Sequence, residues 1–181
     1  MPKNDNPQAL RFLASMAKHG EQAAGERFAE EHPLGKSADI SKRSAWAKAL
    51  CGYLNDRYDE ETVKAIRMDC ACGPYAINGK LKALYEKSDG PADFVKKVNE
   101  LDPGFSLEYD GTSYYIVYPQ CYCSCVKRAE GQLPKAWCYC TLGYSGRMFR
   151  HVFGKEVRTE LISSVKQGDA VCRIRITVQD A

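Results

Sequence analysis

Seven of the nine cysteines lie in three short clusters in which cysteine alternates with another residue. The clusters are Cys70 and Cys72; Cys121, Cys123 and Cys125; and Cys138 and Cys140. Because alternate residues of an extended strand point to the same side, we predict strands at residues 121–126 and 136–141 that present their thiols as rows. Thiolates are preferred ligands of zinc and of iron–sulfur clusters. All seven cysteines are therefore candidate metal ligands, for zinc or alternatively for an iron–sulfur cluster.

The cysteine spacing leaves three chemical interpretations open. Zinc-binding cysteines usually have two residues between them, whereas here only one residue lies between neighbouring cysteines. On a strand this spacing separates their sulfurs by about 6 to 7 Å, so a second strand would have to contribute. Cysteines that only pack, and redox-active or nucleophilic thiols, are the alternatives. Cys172 alternates with Ile174 and Ile176, so we predict that it packs in the core, as does Cys51. No catalytic residue can be named from the sequence.

The composition of the chain indicates its cellular compartment and the classes of partner that it is expected to bind. The chain has 181 residues, 44% of them hydrophobic, and a net charge of +3 without a basic block, so no nucleic-acid partner is expected. Residues 1–8 are polar and no run of eighteen apolar residues follows, which predicts a cytoplasmic protein without a membrane partner. Thiols stay reduced in that compartment, which favours metal binding over a disulfide framework. The oligomeric state, including a homodimer, is left open.

The hydrophobic pattern changes near residue 103 from a helical period to a period of two. We predict an α+β fold with a helical region at residues 1–102 that packs on an antiparallel sheet of about five strands at residues 103–181, all in one structural unit. Helices are expected from Pro7, across residues 40–58 with Ser41 or Ser44 as N-cap, after the acidic residues 59–61, and at residues 81–85 and 91–98.

Two hairpins and one inserted helix complete the predicted second half. Asp110 and Gly111 form a turn signal between strands at residues 105–109 and 114–118. The terminal hairpin pairs residues 157–165 with residues 172–178. Residues 144–153 are predicted to form a helix that is closed by Gly154.

The last third of the chain carries a family resemblance in a set of short elements. These are Cys140, Leu142, Gly143, Tyr144, Gly146, Phe149, Phe153, Gly154, Val157, Glu160, Gly168, Asp169, Cys172 and Ile174. They resemble the closing motif of 4-vinyl reductase domains, in a superfamily of NO-signalling and Golgi-transport ligand-binding domains. Small bacterial proteins similar to amino-thiazoline-carboxylate hydrolases share this ending. The resemblance implies a pocket for a small, largely apolar organic ligand, and cysteines that in some members bind metal.

Six further residues are candidates for ligand binding. They are Tyr122, Trp137, Tyr139, Tyr144, His151 and Glu160. The aromatic residues either line a pocket or belong to an ordinary sheet. His151 could supply a base or a nitrogen ligand, but an exposed position on its helix is the alternative. Strand alternation turns Glu160 to solvent, whereas the family resemblance places a glutamate there.

These observations favour one function over two others. We predict a small-ligand-binding or sensing protein with a cysteine-rich metal site beside an aromatic pocket. The alternatives are an enzyme, either a metal-assisted hydrolase or a thiol-dependent reductase of a small organic substrate, and a structural protein whose cysteines only pack. Metal content separates the first two classes from the third, and turnover separates the first from the second.

Overall fold

The computed structural model describes residues 4–73 and 76–179, and within them the fold is α+β, as predicted. The helices are α1 (Pro7–Lys18), α2 (Gln22–Glu31), α3 (Ile40–Asn55), α4 (Glu60–Asp69), α5 (Ile77–Glu86), α6 (Pro91–Glu100) and α7 (Lys135–Phe153). The strands are β1 (Ser106–Tyr109), β2 (Tyr114–Tyr118), β3 (Val157–Ser163) and β4 (Cys172–Val178). No described helix is long and apolar enough to cross a lipid bilayer.

Side-chain caps begin three of the helices. Asn6 accepts a hydrogen bond from the backbone N–H of Gln8, and Asp39 and Asp59 cap α3 and α4 in the same way. These caps satisfy backbone donors that the first helical turn leaves unpaired. The prediction of Ser41 or Ser44 as N-cap is wrong, because Asp39 lies ahead of both and already has an extended backbone.

The two predicted cysteine strands are wrong. Residues 124–128 form a turn, in which the N–H groups of Val126 and Lys127 donate to the carbonyl of Cys123 at 3.1 and 2.8 Å. Residues 136–141 lie inside α7, which begins nine residues before the helix predicted at Tyr144. Helix α7 is buried on most sides and therefore lacks a polar face. Periodicity cannot distinguish such a helix from a buried strand.

The chain divides into two compact units. The first contains the described residues up to Ala71 and residues 122–140, and the second contains residues 72–121 and the chain from Thr141 onward. Helix α7 therefore contributes residues 135–140 to the first unit and its remainder to the second. The division near residue 103 within one structural unit stays a prediction.

Aromatic rings form the core of the first unit. The ring of Phe12 in α1 lies edge-on to Phe28 in α2 at 5.3 Å and to Trp46 in α3 at 6.3 Å. The hydroxyl of Ser15 donates to the carbonyl of Ile66 at 2.7 Å and joins α1 to α4. Burial of these rings against one another holds α1, α2 and α3 around one apolar centre, and the Ser15 hydrogen bond adds α4.

We expect Gly25→Ala to destabilise the first unit by about 1 to 3 kcal/mol. A Cβ at this position in α2 would lie 2.9 Å from the Cβ of Met16 in α1, so the two helices would have to separate. The control is Gly52→Ala in α3, where a Cβ meets nothing within 4 Å, and where alanine should stabilise by about 0.5 to 1 kcal/mol. Urea denaturation of both variants checks the prediction, and equal shifts would contradict it.

The second unit contains the antiparallel sheet, with strand order β1-β2-β4-β3. Both predicted hairpins are confirmed, the first with Tyr109 opposite Tyr114 and the second with Val157 opposite Val178. Helix α6 packs against β1, and Phe94 of this helix lies 6.1 Å from the ring of Tyr114.

The cysteine of the terminal hairpin is less deeply buried than its neighbours. Ile174 and Ile176 are fully buried, as predicted, whereas Cys172 at the start of β4 is half-buried. Its sulfur accepts a hydrogen bond from the backbone N–H of Val165 at 3.4 Å. Cys172 therefore sits at the edge of the core and closes the turn of the hairpin.

Candidate thiol site

Arg67 lies at the centre of the candidate site, although the sequence analysis did not single it out. Its side chain in α4 is completely buried. The guanidinium donates from Nε to the carbonyl of Ala136 at 3.3 Å and from Nη2 to that of Trp137 at 3.1 Å. Its Cζ lies 4.6 Å from the centroid of the Trp137 ring, within the range of a cation–π interaction. These contacts join α4 to the start of α7.

The sequence does contain a signal for Arg67. Val63, Ile66, Arg67 and Cys70 follow the spacing of three and four residues that defines the inner face of a helix, and all four are buried. An arginine on such a face must hold its charge in the protein interior, which is costly unless partners compensate it. A charged residue in an apolar stripe is therefore the pattern to search for.

Four cysteines interact electrostatically with the guanidinium. Its strongest electrostatic partners are Cys70, Cys140, Cys51 and Cys123. Cys125 interacts with Cys123, and Cys138 interacts with Cys140. We call the five cysteines among these that are candidate ligands the thiol cluster: Cys70, Cys123, Cys125, Cys138 and Cys140. All five belong to the first unit, whereas the other two candidate ligands, Cys72 and Cys121, belong to the second.

Three different elements supply the thiol cluster. Cys70 is the C-cap of α4, Cys123 and Cys125 lie at the turn before α7, and Cys138 and Cys140 lie in α7. Residues two apart on a helix point about 200° away from each other, so Cys138 and Cys140 cannot form the predicted row. The tertiary fold, and not a strand face, gathers these sulfurs.

The charge of Arg67 has no carboxylate partner. Within residues 4–73 and 76–179, Arg67 forms no salt bridge, and its Nη1 makes no hydrogen bond. Burial by itself lowers the pKa of Arg67, whereas the neighbouring cysteines, once ionised at alkaline pH, raise it above the ordinary arginine value. At neutral pH the guanidinium is charged while these thiols are protonated. The site therefore holds a buried cation whose strongest interactions with ionisable groups are with thiols.

Burial raises the pKa of the thiols themselves. The pKa of Cys51 rises to about 11 and that of Cys125 to about 12, although Arg67 lowers both in part. Cys70 and Cys140 are raised for the same reason. Reactive cysteines need the opposite shift, because the thiolate is the nucleophile. These four thiols are protonated near neutral pH, which disfavours a role in nucleophilic or redox chemistry.

The raised pKa of Cys51 predicts a loss of stability in alkali. The folded-state pKa of about 11 exceeds the ordinary value of 9.0, so the stabilisation is complete below pH 9 and is lost as the pH rises from there towards 11. The unfolding free energies of the native chain and of Cys51→Ala should therefore approach each other by about 2 kcal/mol between about pH 8 and pH 11. Chemical denaturation at both pH values measures this difference. A constant difference would contradict the prediction.

The side chains are not arranged as a formed metal centre. Among the described residues, no three of His, Cys, Asp and Glu are grouped so that they could hold one ion. Three members of the thiol cluster, Cys70, Cys123 and Cys140, instead interact electrostatically with the guanidinium of Arg67. Metal uptake would need rotation of cysteine side chains, and Cys123 and Cys125 lie on a turn where little regular structure opposes such movement.

The other predicted ligand-binding residues divide between the two units. In the first unit, Trp137 and Tyr139 are buried, and the hydroxyl of Tyr139 donates to Glu60 at 2.5 Å, whereas 47% of the surface of Tyr122 is exposed. The second unit holds Tyr144, His151 and Glu160. Tyr144 is half-buried and His151 is exposed at the end of α7. Glu160 is exposed, as strand alternation predicted, and pairs with Arg175 at 2.9 Å.

Comparison with known proteins identifies the family. A model of a family of unknown function, DUF6144, matches residues 12–181. The chain belongs to DUF6144. The match covers both units and includes every cysteine of this DUF6144 protein. No curated protein matches the chain. The resemblance to 4-vinyl reductase domains stays a prediction.

Solved structures similar to this DUF6144 protein include H-NOX proteins from Shewanella oneidensis. One, in the Fe(II)NO ligation state, is 14% identical, with a TM-score of 0.45 over 97% of this chain and 99% of the other. Another, in the Fe(II)CO ligation state, is 16% identical, with a TM-score of 0.43 over the whole of both chains. At these values the similarity assigns no function to the DUF6144 chain.

Proposed function

We propose that this protein binds or senses a small ligand through a metal ion held by thiolates of the thiol cluster. The observation that carries the proposal is the buried charge of Arg67, which interacts most strongly with cysteines and forms no salt bridge with a carboxylate of the described residues. Zinc is the proposed ion and an iron–sulfur cluster the alternative, because soft thiolate ligands suit both. The proposed compartment is the reducing cytoplasm, in which the nine thiols stay free.

Charge compensation is the physical reason for metal uptake. With protonated thiols, Arg67 is a buried cation to which the part of the chain described by the structure offers no ion-pair partner, and such burial costs free energy. A metal ion displaces thiol protons, and several thiolates around one divalent ion carry a net negative charge. That negative charge would lie next to the guanidinium. Arg67 thus favours the metal-bound state of the cluster without being a metal ligand.

The raised thiol pKa values separate this proposal from the thiol-dependent reductase. A reductase needs a thiolate that is present before its substrate arrives, whereas metal coordination generates the thiolate as the ion binds. A metal-assisted hydrolase would in addition need a metal position open to water and a nearby base. His151, the candidate base, belongs to the second unit, whereas the thiol cluster belongs to the first, so its position gives no support to a hydrolase.

Metal content of protein purified without oxygen tests the proposal. We expect about one zinc ion or one iron–sulfur cluster per chain by elemental analysis. We also expect thiols of the cluster to resist a thiol reagent until a chelator removes the metal, because coordinated sulfurs are not free to react. Protein without stoichiometric metal, in which all nine thiols react at one rate, would show that the proposal is wrong.

A further inference from the structure

Three arginines of the first unit face the thiol cluster with donors that lack acceptors. Within the described residues, the Nε atoms of Arg11 and Arg43 and the Nη1 of Arg67 are buried atoms that make no hydrogen bond, and none of the three arginines forms a salt bridge. Trp137, whose ring lies against the guanidinium of Arg67, adds a fourth buried donor, its indole Nε1, for which no described residue provides an acceptor. Unsatisfied buried donors are rare in proteins and require an explanation.

The three arginines lie on helices that pack together, because α1 and α3, which carry Arg11 and Arg43, each contact α4, which carries Arg67. Cys125 interacts electrostatically with Arg43, Arg67 and Arg11. Cys70 interacts with Arg67 and Arg11, and its thiol donates to the carbonyl of Ile66 at 3.3 Å, one residue before Arg67. The donors therefore belong to one region of the first unit and not to scattered surface positions.

We infer that Arg11, Arg43 and Arg67 form a binding site for a small oxyanion beside the thiol cluster. Guanidinium groups match the planar, bidentate geometry of carboxylate-like oxyanions, and charge-assisted hydrogen bonds of this kind are about twice as strong as neutral ones. An oxyanion would satisfy the unpaired donors and supply the counter-charge that the described carboxylates do not. The ligand class is thus a small anion with two or more oxygen acceptors.

The inference goes beyond the proposed function: it concerns the same region of the first unit, but anion binding by the arginines does not require metal uptake. Arg11 and Arg43 are half-buried and suit mutation best, because each keeps part of its surface in water. Arg67 is a poor test on its own, since its complete burial means that a variant could lose the fold together with the ligand. Arg27, exposed on α2 of the same unit, provides the matched control.

Nitrate and formate are the probes, titrated into reduced, chelator-treated protein at constant ionic strength with chloride as the replaced anion. We expect saturable binding by calorimetry and a rise in the unfolding temperature with nitrate concentration. Arg11→Gln and Arg43→Gln should each raise the dissociation constant at least about tenfold, because each removes charge-assisted hydrogen bonds to the anion. Arg27→Gln should change the dissociation constant by no more than about twofold, because solvent and salt screen an exposed charge.

The possible outcomes separate this inference from the proposed function. Absence of saturable nitrate and formate binding in the native chain overturns the inference, and so does equal weakening by Arg27→Gln and Arg43→Gln. Saturable nitrate binding that Arg11→Gln and Arg43→Gln abolish supports it, whether or not the protein also takes up metal. Metal uptake without anion binding leaves the proposed function standing alone.

Discussion

Cys123→Ser is expected to abolish metal binding, whereas Cys172→Ser is expected to leave the metal stoichiometry unchanged. Cys123 interacts with Arg67, Cys125 and Cys140 and is thus the cysteine that connects the turn before α7 to the rest of the thiol cluster. A serine hydroxyl is a poor replacement for a thiolate ligand at neutral pH. The measurement is metal content per chain after anaerobic purification.

Cys172→Ser provides the control because its sulfur lies in the second unit. The sulfur accepts a hydrogen bond from the backbone N–H of Val165 at the edge of the sheet. The substitution should therefore lower the unfolding free energy by roughly 1 kcal/mol and leave the metal content unchanged. Cys138→Ser should behave as Cys123→Ser does. If Cys172→Ser loses the metal while Cys123→Ser retains it, the ligands lie on the terminal hairpin and the assignment to the thiol cluster is wrong.

Trp137→Ala should destabilise the protein by about 4 kcal/mol or more, the largest stability effect that we expect. The ring is 1% exposed, lies edge-on to Trp46 at 6.2 Å and covers the guanidinium of Arg67. Its removal would leave a cavity and would deprive the buried cation of its cation–π partner. Chemical denaturation of the reduced, metal-free protein measures the loss.

Trp137→Phe keeps an aromatic ring at this position and removes the pyrrole part of the indole with its N–H. The indole Nε1 makes no hydrogen bond with any described residue, so phenylalanine loses volume but no such bond. We expect a cost of about 1 to 2 kcal/mol. If alanine and phenylalanine destabilise equally, the contact with Arg67 contributes nothing and the account of the buried cation fails.

Local signals in the sequence determined most of the helices and both hairpins. The start of α4 follows from Asp59 and the acidic residues after it, since a carboxylate at this position satisfies backbone donors and interacts favourably with the helix dipole. The first hairpin follows from Asp110 and Gly111, because Gly111 takes a φ of 100° that other residues avoid. These features depend on residues a few positions apart, which is why the sequence alone suffices for them.

Only the tertiary structure decided how the cysteines meet. The alternation of Cys138 and Cys140 predicted a strand, but packing on most sides of α7 gave a helix, and burial removed the polar face by which a helix is recognised. The sequence also determined that many thiols are present, yet not that Arg67 lies among them. That arrangement depends on residues about 70 positions apart, joined by hydrogen bonds from Arg67 to the carbonyls of Ala136 and Trp137. A local pattern carries no record of such a contact, because the environment that compensates a buried charge is assembled only when distant segments pack.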